Sequence, residues 1–155
     1  MSTIDTRGRY FDELEVGQVF RHRPGRTIDS AINVLFTSMT GNTQSLHLDE
    51  HFAQESEFGR RLVNSLLTMS VVVGLSVSDV TEGTTVANLG FEEIRFPAPV
   101  FHGDTLYSET EVLALRPSRS RADQGVATFE HRGRNQDGVV VCLARRSALM
   151  LSSGG

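Results

Sequence analysis

The sequence predicts an α+β fold in which one long antiparallel sheet wraps around a single buried helix. Two observations predict it. Residues 64–79, NSLLTMSVVVGLSVSD, are too long for an ordinary strand and carry small residues where neighbours approach closely. From Thr84 onward the chain changes to long extended segments parted by Pro-, Gly- and Asp-rich turns. A lone apolar helix followed by several strands buries itself most simply against their common face.

The elements follow in order. Residues 18–28, QVFRHRPGRTI, read as a short extended segment broken at Pro24-Gly25. The next stretch, DSAINVLFTSMTG, reads as a helix capped by Asp29 or Ser30 and stopped by Gly41. Its predicted inward stripe is Ile32, Leu35, Phe36 and Met39. After His47, LDEHFAQESEFG gives a short acidic helix with Asp49 as cap and Gly59 as stop. Residues 64–79 then form the buried helix, roughly 22 Å long at 1.5 Å per residue. The strands are TTVANLGFEEIRF, TLYSETEVLAL, GVATFEHRGRN and VVVCLARRSALM, with a turn at Gln136-Asp137-Gly138. In the second strand, Leu106, Ser108, Thr110, Val112 and Ala114 alternate with Tyr107, Glu109, Glu111 and Leu113, the period of two of a sheet covered on one face.

The 155 residues read as one domain over 9–150, with residues 1–8 and 151–155 as loose termini. A chain of this length buries roughly two-thirds of its unfolded surface. The net charge of −4 argues against a nucleic-acid partner. All 15 basic residues are arginine, which removes lysine Schiff bases, a lysine base and a P-loop lysine together. The lone Cys142, in VVVCLA, reads as a core residue of a protein kept in the reducing cytoplasm. The polar start, MSTIDTRGRY, predicts no signal peptide, and no apolar run approaches the roughly 20 residues of a membrane span.

The stretch TGNTQSLHLDE, residues 40–50, carries the chemistry. Gly41, Asn42, Thr43, Gln44, Ser45, Leu46 and His47, then five residues and Ala53, resemble the active-site loop of the MaoC-like hydratases. That family comprises (R)-specific enoyl-CoA hydratases and related dehydratases with the hotdog fold. Its loop reads Gly-Asp, any residue, Asn-Pro, aliphatic, His. Gly41, Leu46, His47 and Ala53 match, whereas Asn42, Gln44 and Ser45 depart. A second stretch, RFPAPVFHGDTL, resembles the family's strand crossing and supports the fold more than the reaction. Together the resemblance covers residues 10–150.

The resemblance implies reversible addition of water across a trans-2-enoyl-CoA, with His47 as base. Asn42 stands where the family has an acid, and an amide exchanges no proton near neutrality but can hold a water. Three outcomes stay open: His47 shuttles both protons, a carboxylate elsewhere substitutes, or the site binds thioesters without hydrating them. The first is preferred because the loop is otherwise retained. Gln44 matches the family's asparagine and can hold the loop or a water. The thioester oxygen would meet backbone N–H groups at the start of the buried helix, at Ser65 and Leu66, with Asn64 as cap or contact. Asp49 reads as a helix cap.

For the CoA phosphates the candidates are Arg116, Arg119 and Arg121. Arg60 and Arg61 are candidates for a second carboxylate on the acyl group. For each of these, a solvated arginine is the better single reading. The reaction implies no cofactor beyond the CoA thioester substrate. The five histidines show no metal-ligand spacing, and GLSVSD lacks a nucleophile elbow. A homodimer or larger homo-oligomer is the expected assembly. A thioesterase and a non-catalytic acyl-CoA-binding protein are the competing functions.

Overall fold

A computed structural model describes residues 6–154. The chain opens with a 3-10 turn at Phe11–Glu13 and two short strands, β1 (Val19–Arg21) and β2 (Arg26–Thr27). Helices α1 (Ser30–Met39), α2 (Ser45–Leu48), α3 (Glu50–Gln54) and α4 (Ser65–Gly74) follow, then a wide π-type turn over Val77–Thr81. Four long strands complete the chain: β3 (Thr85–Arg95), β4 (Thr105–Pro117), β5 (Gln124–Arg134) and β6 (Val140–Leu151). They pair antiparallel in the order β1-β4-β5-β6-β3, with β2 also on β4. The predicted architecture of a sheet around one helix is the one observed.

The core forms where α4 lies on the sheet. Ile28, Val63, Leu67, Val100, Leu106 and Val141 pack around its first turns. Val72 meets Cys142 and Ala144 in the last turn of the helix. Beyond its end, Val80 joins Val112, Phe129 and Met150. The helix sits close because Gly133 on β5 offers no side chain, and a Cβ there would stand 2.4 Å from a Val72 methyl. Cys142 is fully buried, and desolvation pushes its thiol up to about 11, so it is a core residue with no thiolate to offer.

Three local expectations are corrected. On α1, Leu35 and Met39 are 65% and 73% exposed, while Asn33 and Thr37 are fully buried; Ile32 and Phe36 alone of the stripe reach the core. The run 64–79 is not one helix. The Ser76 hydroxyl donates to the Val73 carbonyl at 2.6 Å, and the chain re-forms as the π-type turn. In β4, a bulge between Val112 and Ala114 turns Ala114 outward, and Leu115 packs on the core in its place.

At the ends, residues 1–5 and 155 lie outside the described residues. Within the segment read as a loose terminus, the Gly8 N–H donates to Glu82 O at 2.7 Å. Ser153 N–H donates to Asp12 at 2.7 Å. Both ends are thus tied to the body by backbone donors.

Candidate active site around His47

Two rungs position His47. The Leu62 N–H donates to Leu46 O at 2.9 Å, fastening the loop after α3 to α2. The Leu62 carbonyl in turn accepts from His47 Nδ1 at 3.0 Å. A carbonyl cannot donate, so Nδ1 carries the proton and Nε2 presents its lone pair. The loop is built for this placement. Gly41, with φ +70°, takes the left-handed conformation that closes α1. Asp49 Oδ1 accepts from Phe52 N–H at 3.0 Å, the predicted cap of α3.

His47 forms one wall of a cavity of about 310 Å³, with Phe58, Leu62, Val63, Ser65, Thr68, and the Phe96–Val100 crossing. That lower-end ligand-pocket size comes with the usual make-up, an apolar lining with few polar groups. The first turn of α4 enters here. Asn64 Oδ1 accepts from Leu66 N–H at 3.0 Å, so the Leu66 donor belongs to the cap. Ser65 N–H, which has no acceptor within the helix, is the first-turn donor belonging to a cavity residue.

Asn42 and Gln44 do not line this cavity. Asn42 Oδ1 accepts from Gln44 N–H at 3.0 Å in a tight local turn, and Asn42 N–H donates to Thr37 O. What the Asn42 amide has left for a water is its Nδ2 and the second lone pair of Oδ1. Asn64 is buried, its amide shared between the Leu66 cap and Thr37. Among the arginines, Arg61 is neutralised by Glu50 at 2.7 Å and also reaches Ser30. Arg60 lies 3.7 Å over the Phe101 ring. Arg116, Arg119 and Arg121 are exposed at the far end of β4 and in the loop beyond.

Sequence reasoning missed Asn33, Leu62, Thr68 and His102. Asn33 and Thr37, four apart on one face of α1, were the available signal: a polar i, i+4 pair where a core face needs apolar residues. Three larger cavities lie elsewhere among the described residues: about 620 Å³ beside Arg9, Arg21 and Asp79, about 650 Å³ along Arg23–Arg26 and the outer side of α4, and about 360 Å³ between Arg23, Glu109 and Arg132. Volume alone would choose them. None of the three brings a histidine with an open nitrogen to a helix N-terminus, which is what proton transfer next to a developing oxyanion requires.

Residues 12–134 match the family model described as MaoC like domain. A β-methylmalyl-CoA dehydratase of Chloroflexus aurantiacus is 34% identical over 136 residues, 88% of this chain and 38% of that protein. The chain thus spans well under half the length of that relative. An (R)-specific enoyl-CoA hydratase of Aeromonas caviae is 33% identical over 127 residues, 82% of this chain and 88% of that one. A Mycobacterium tuberculosis protein described as having a double hotdog fold superposes with a TM-score of 0.86 at 32% identity, covering 97% of this chain and 46% of that one. The fold is the hotdog.

Proposed function

Since the chain belongs to the MaoC-like domain family, we propose that it hydrates a 2-enoyl-CoA to the 3-hydroxyacyl-CoA, or runs that reaction in reverse. The observation that carries this reading is the Nδ1-protonated imidazole of His47 on the wall of the cavity that Ser65 also lines. His47 Nε2 takes a proton from water as the oxygen bonds to carbon 3. The alkene electrons move toward the thioester oxygen, where the Ser65 N–H and the dipole of α4 stabilise the charge. The imidazolium returns its proton to carbon 2, which closes the balance with no acid at position 42. Asn42 and Gln44 hold the loop and a water, and the reaction requires no cofactor.

The acyl group enters the apolar crossing at Phe96–Val100. For a second carboxylate, as in the substrate named for the Chloroflexus relative, Arg60 is the cation to test, because Arg61 is already paired. The edge strand β3 supports a homodimer. Among the described residues it pairs only with β6, and its other edge is open beside exposed Val86, Leu89, Ile94 and Phe96. We place the protein in the cytoplasm because its one cysteine is a buried thiol. Among the described residues, no helix is long and apolar enough to cross a membrane.

One observation favours a second reading, a protein that binds acyl-CoA without turning it over: Asn42 is used in the loop's own turn. A spectrophotometric screen of short, long and dicarboxylic 2-enoyl-CoAs decides. Loss of the conjugated thioester absorbance supports the hydratase, whereas saturable binding with no loss on any substrate overturns it.

A further inference from the structure

We propose that Asn33 is a positioning residue whose single carboxamide couples the base to the thioester end of the central helix. It fixes at once the Leu62 carbonyl that orients His47 and the Asn64 N–H that opens α4. This rests on the reading of His47 as the base.

Asn33 is fully buried on α1. Burying a carboxamide is unfavourable unless its donors and acceptor are all engaged. Here they are. Nδ2 donates to Leu62 O at 3.0 Å and to His102 Nε2 at 3.0 Å, and Oδ1 accepts from Asn64 N–H at 2.9 Å. The orientation of the amide is forced. Rotated by half a turn, it would set oxygen against the Leu62 carbonyl and NH₂ against the Asn64 N–H, two repulsive contacts. His102 therefore accepts at Nε2.

The consequence for the site follows from lone pairs. A carbonyl oxygen has two, and Leu62 O spends one on Asn33 and the other on His47 Nδ1. Asn33 thereby sets where the second lone pair points, and with it the tautomer and tilt of the imidazole. Its oxygen, through Asn64, sets where the first turn of α4 begins, and with it the Ser65 N–H. A leucine would fill the same volume and satisfy none of the three groups. The two halves of the site thus share one residue that touches no substrate.

The test compares Asn33→Asp and Asn33→Ser with the wild type. Aspartate keeps an acceptor for Asn64 N–H but opposes the Leu62 carbonyl with a second oxygen; serine is a smaller, neutral control that keeps one donor. In the folded fraction of either, kcat is expected to fall on the order of 10- to 100-fold with a smaller change in KM, the range that slight misplacement of reacting groups costs. The acid limb of kcat/KM should shift as well. Combined with His47→Ala, Asn33→Asp should add no further loss. Nitrogen-15 NMR of the His47 ring reads the same coupling without turnover: one Nδ1–H tautomer in the wild type, a mixture in Asn33→Asp. Lowered melting temperature with unchanged kcat, pH profile and tautomer, or an additive loss in the double variant, overturns the proposal. If the wild type hydrates no thioester, the reaction fails, and the tautomer measurement alone decides for or against Asn33.

Discussion

Arg146 donates its Nε–H to Nε2 of His131 at 2.8 Å, and that bond sets the direction of a buried chain of hydrogen bonds. A guanidinium only donates, so His131 Nε2 accepts and its Nδ1 carries the proton. His131 Nδ1–H then donates to Thr110 Oγ1 at 2.8 Å, and the Thr110 hydroxyl donates to His22 Nε2 at 2.8 Å. His22 Nδ1–H ends the chain on Asp79 at 2.7 Å. Three strands, the residue after β1 and the turn after α4 are joined through this one buried chain.

This chain predicts acid lability. Burial, with Arg146 and His22 nearby, pushes His131 down from 6.5 to about 3. Below pH 6.5 the unfolded imidazole binds a proton that the folded one refuses. Stability is therefore complete above 6.5 and falls as pH drops toward 3, by up to about 1.4 kcal/mol per pH unit. Urea midpoints at pH 7.5, 6 and 5 should show the decline, and His131→Gln, which preserves one acceptor and one donor, should flatten it. A wild-type midpoint independent of pH across this range would refute the assignment.

Gly133→Ala tests the seating of α4. The new methyl would meet a Val72 methyl at 2.4 Å, with Cys142 behind it at 3.4 Å, and both neighbours are fully buried. Overpacking of this kind costs about 1–3 kcal/mol. Thermal denaturation should show the loss, and Val72→Ala in the same chain should recover part of it. If Gly133→Ala melts with the wild type, the helix does not rest there as closely as the geometry requires.

The sheet was legible where period two held. Leu106, Ser108, Thr110 and Val112 all turn inward as their alternation requires, and the reading failed at Ala114 because a bulge leaves no mark in hydrophobicity. On α1 the failure was of another kind. Pattern reading assigns the core face to apolar residues, and here Asn33 and Thr37 hold it because Asn64 and Leu62 need partners there. The geometry at His47 was legible only as a loop motif. That its Nδ1 would find the Leu62 carbonyl, 15 residues on, depends on a chain reversal that no local spacing encodes.

His47→Ala should lower hydration by about 10²–10⁴-fold, the usual contribution of a positioned acid–base group. Binding of the thioester should persist, since the cavity wall is otherwise Phe58, Val63 and the Phe96–Val100 crossing. Equilibrium binding of a non-hydratable acyl-CoA beside steady-state rates separates the two. Unchanged turnover would remove His47 from the chemistry.

Asn42→Asp is the sharper experiment, because it changes one atom and adds a titratable group. Asn42 Oδ1 already accepts from Gln44 N–H, a bond that a carboxylate makes equally well, so the loop should keep its shape and the melting temperature should stay within a degree or two. The second carboxylate oxygen replaces Nδ2. If His47 alone now carries both protons, an added acid should raise kcat by up to about 10²-fold and introduce a second ionisation into the pH–rate profile. If the protein only binds thioesters, neither the rate nor the profile should respond. A lower kcat with the loop intact would show that Nδ2 of Asn42 donates in the transition state, and that the amide is itself part of the working site.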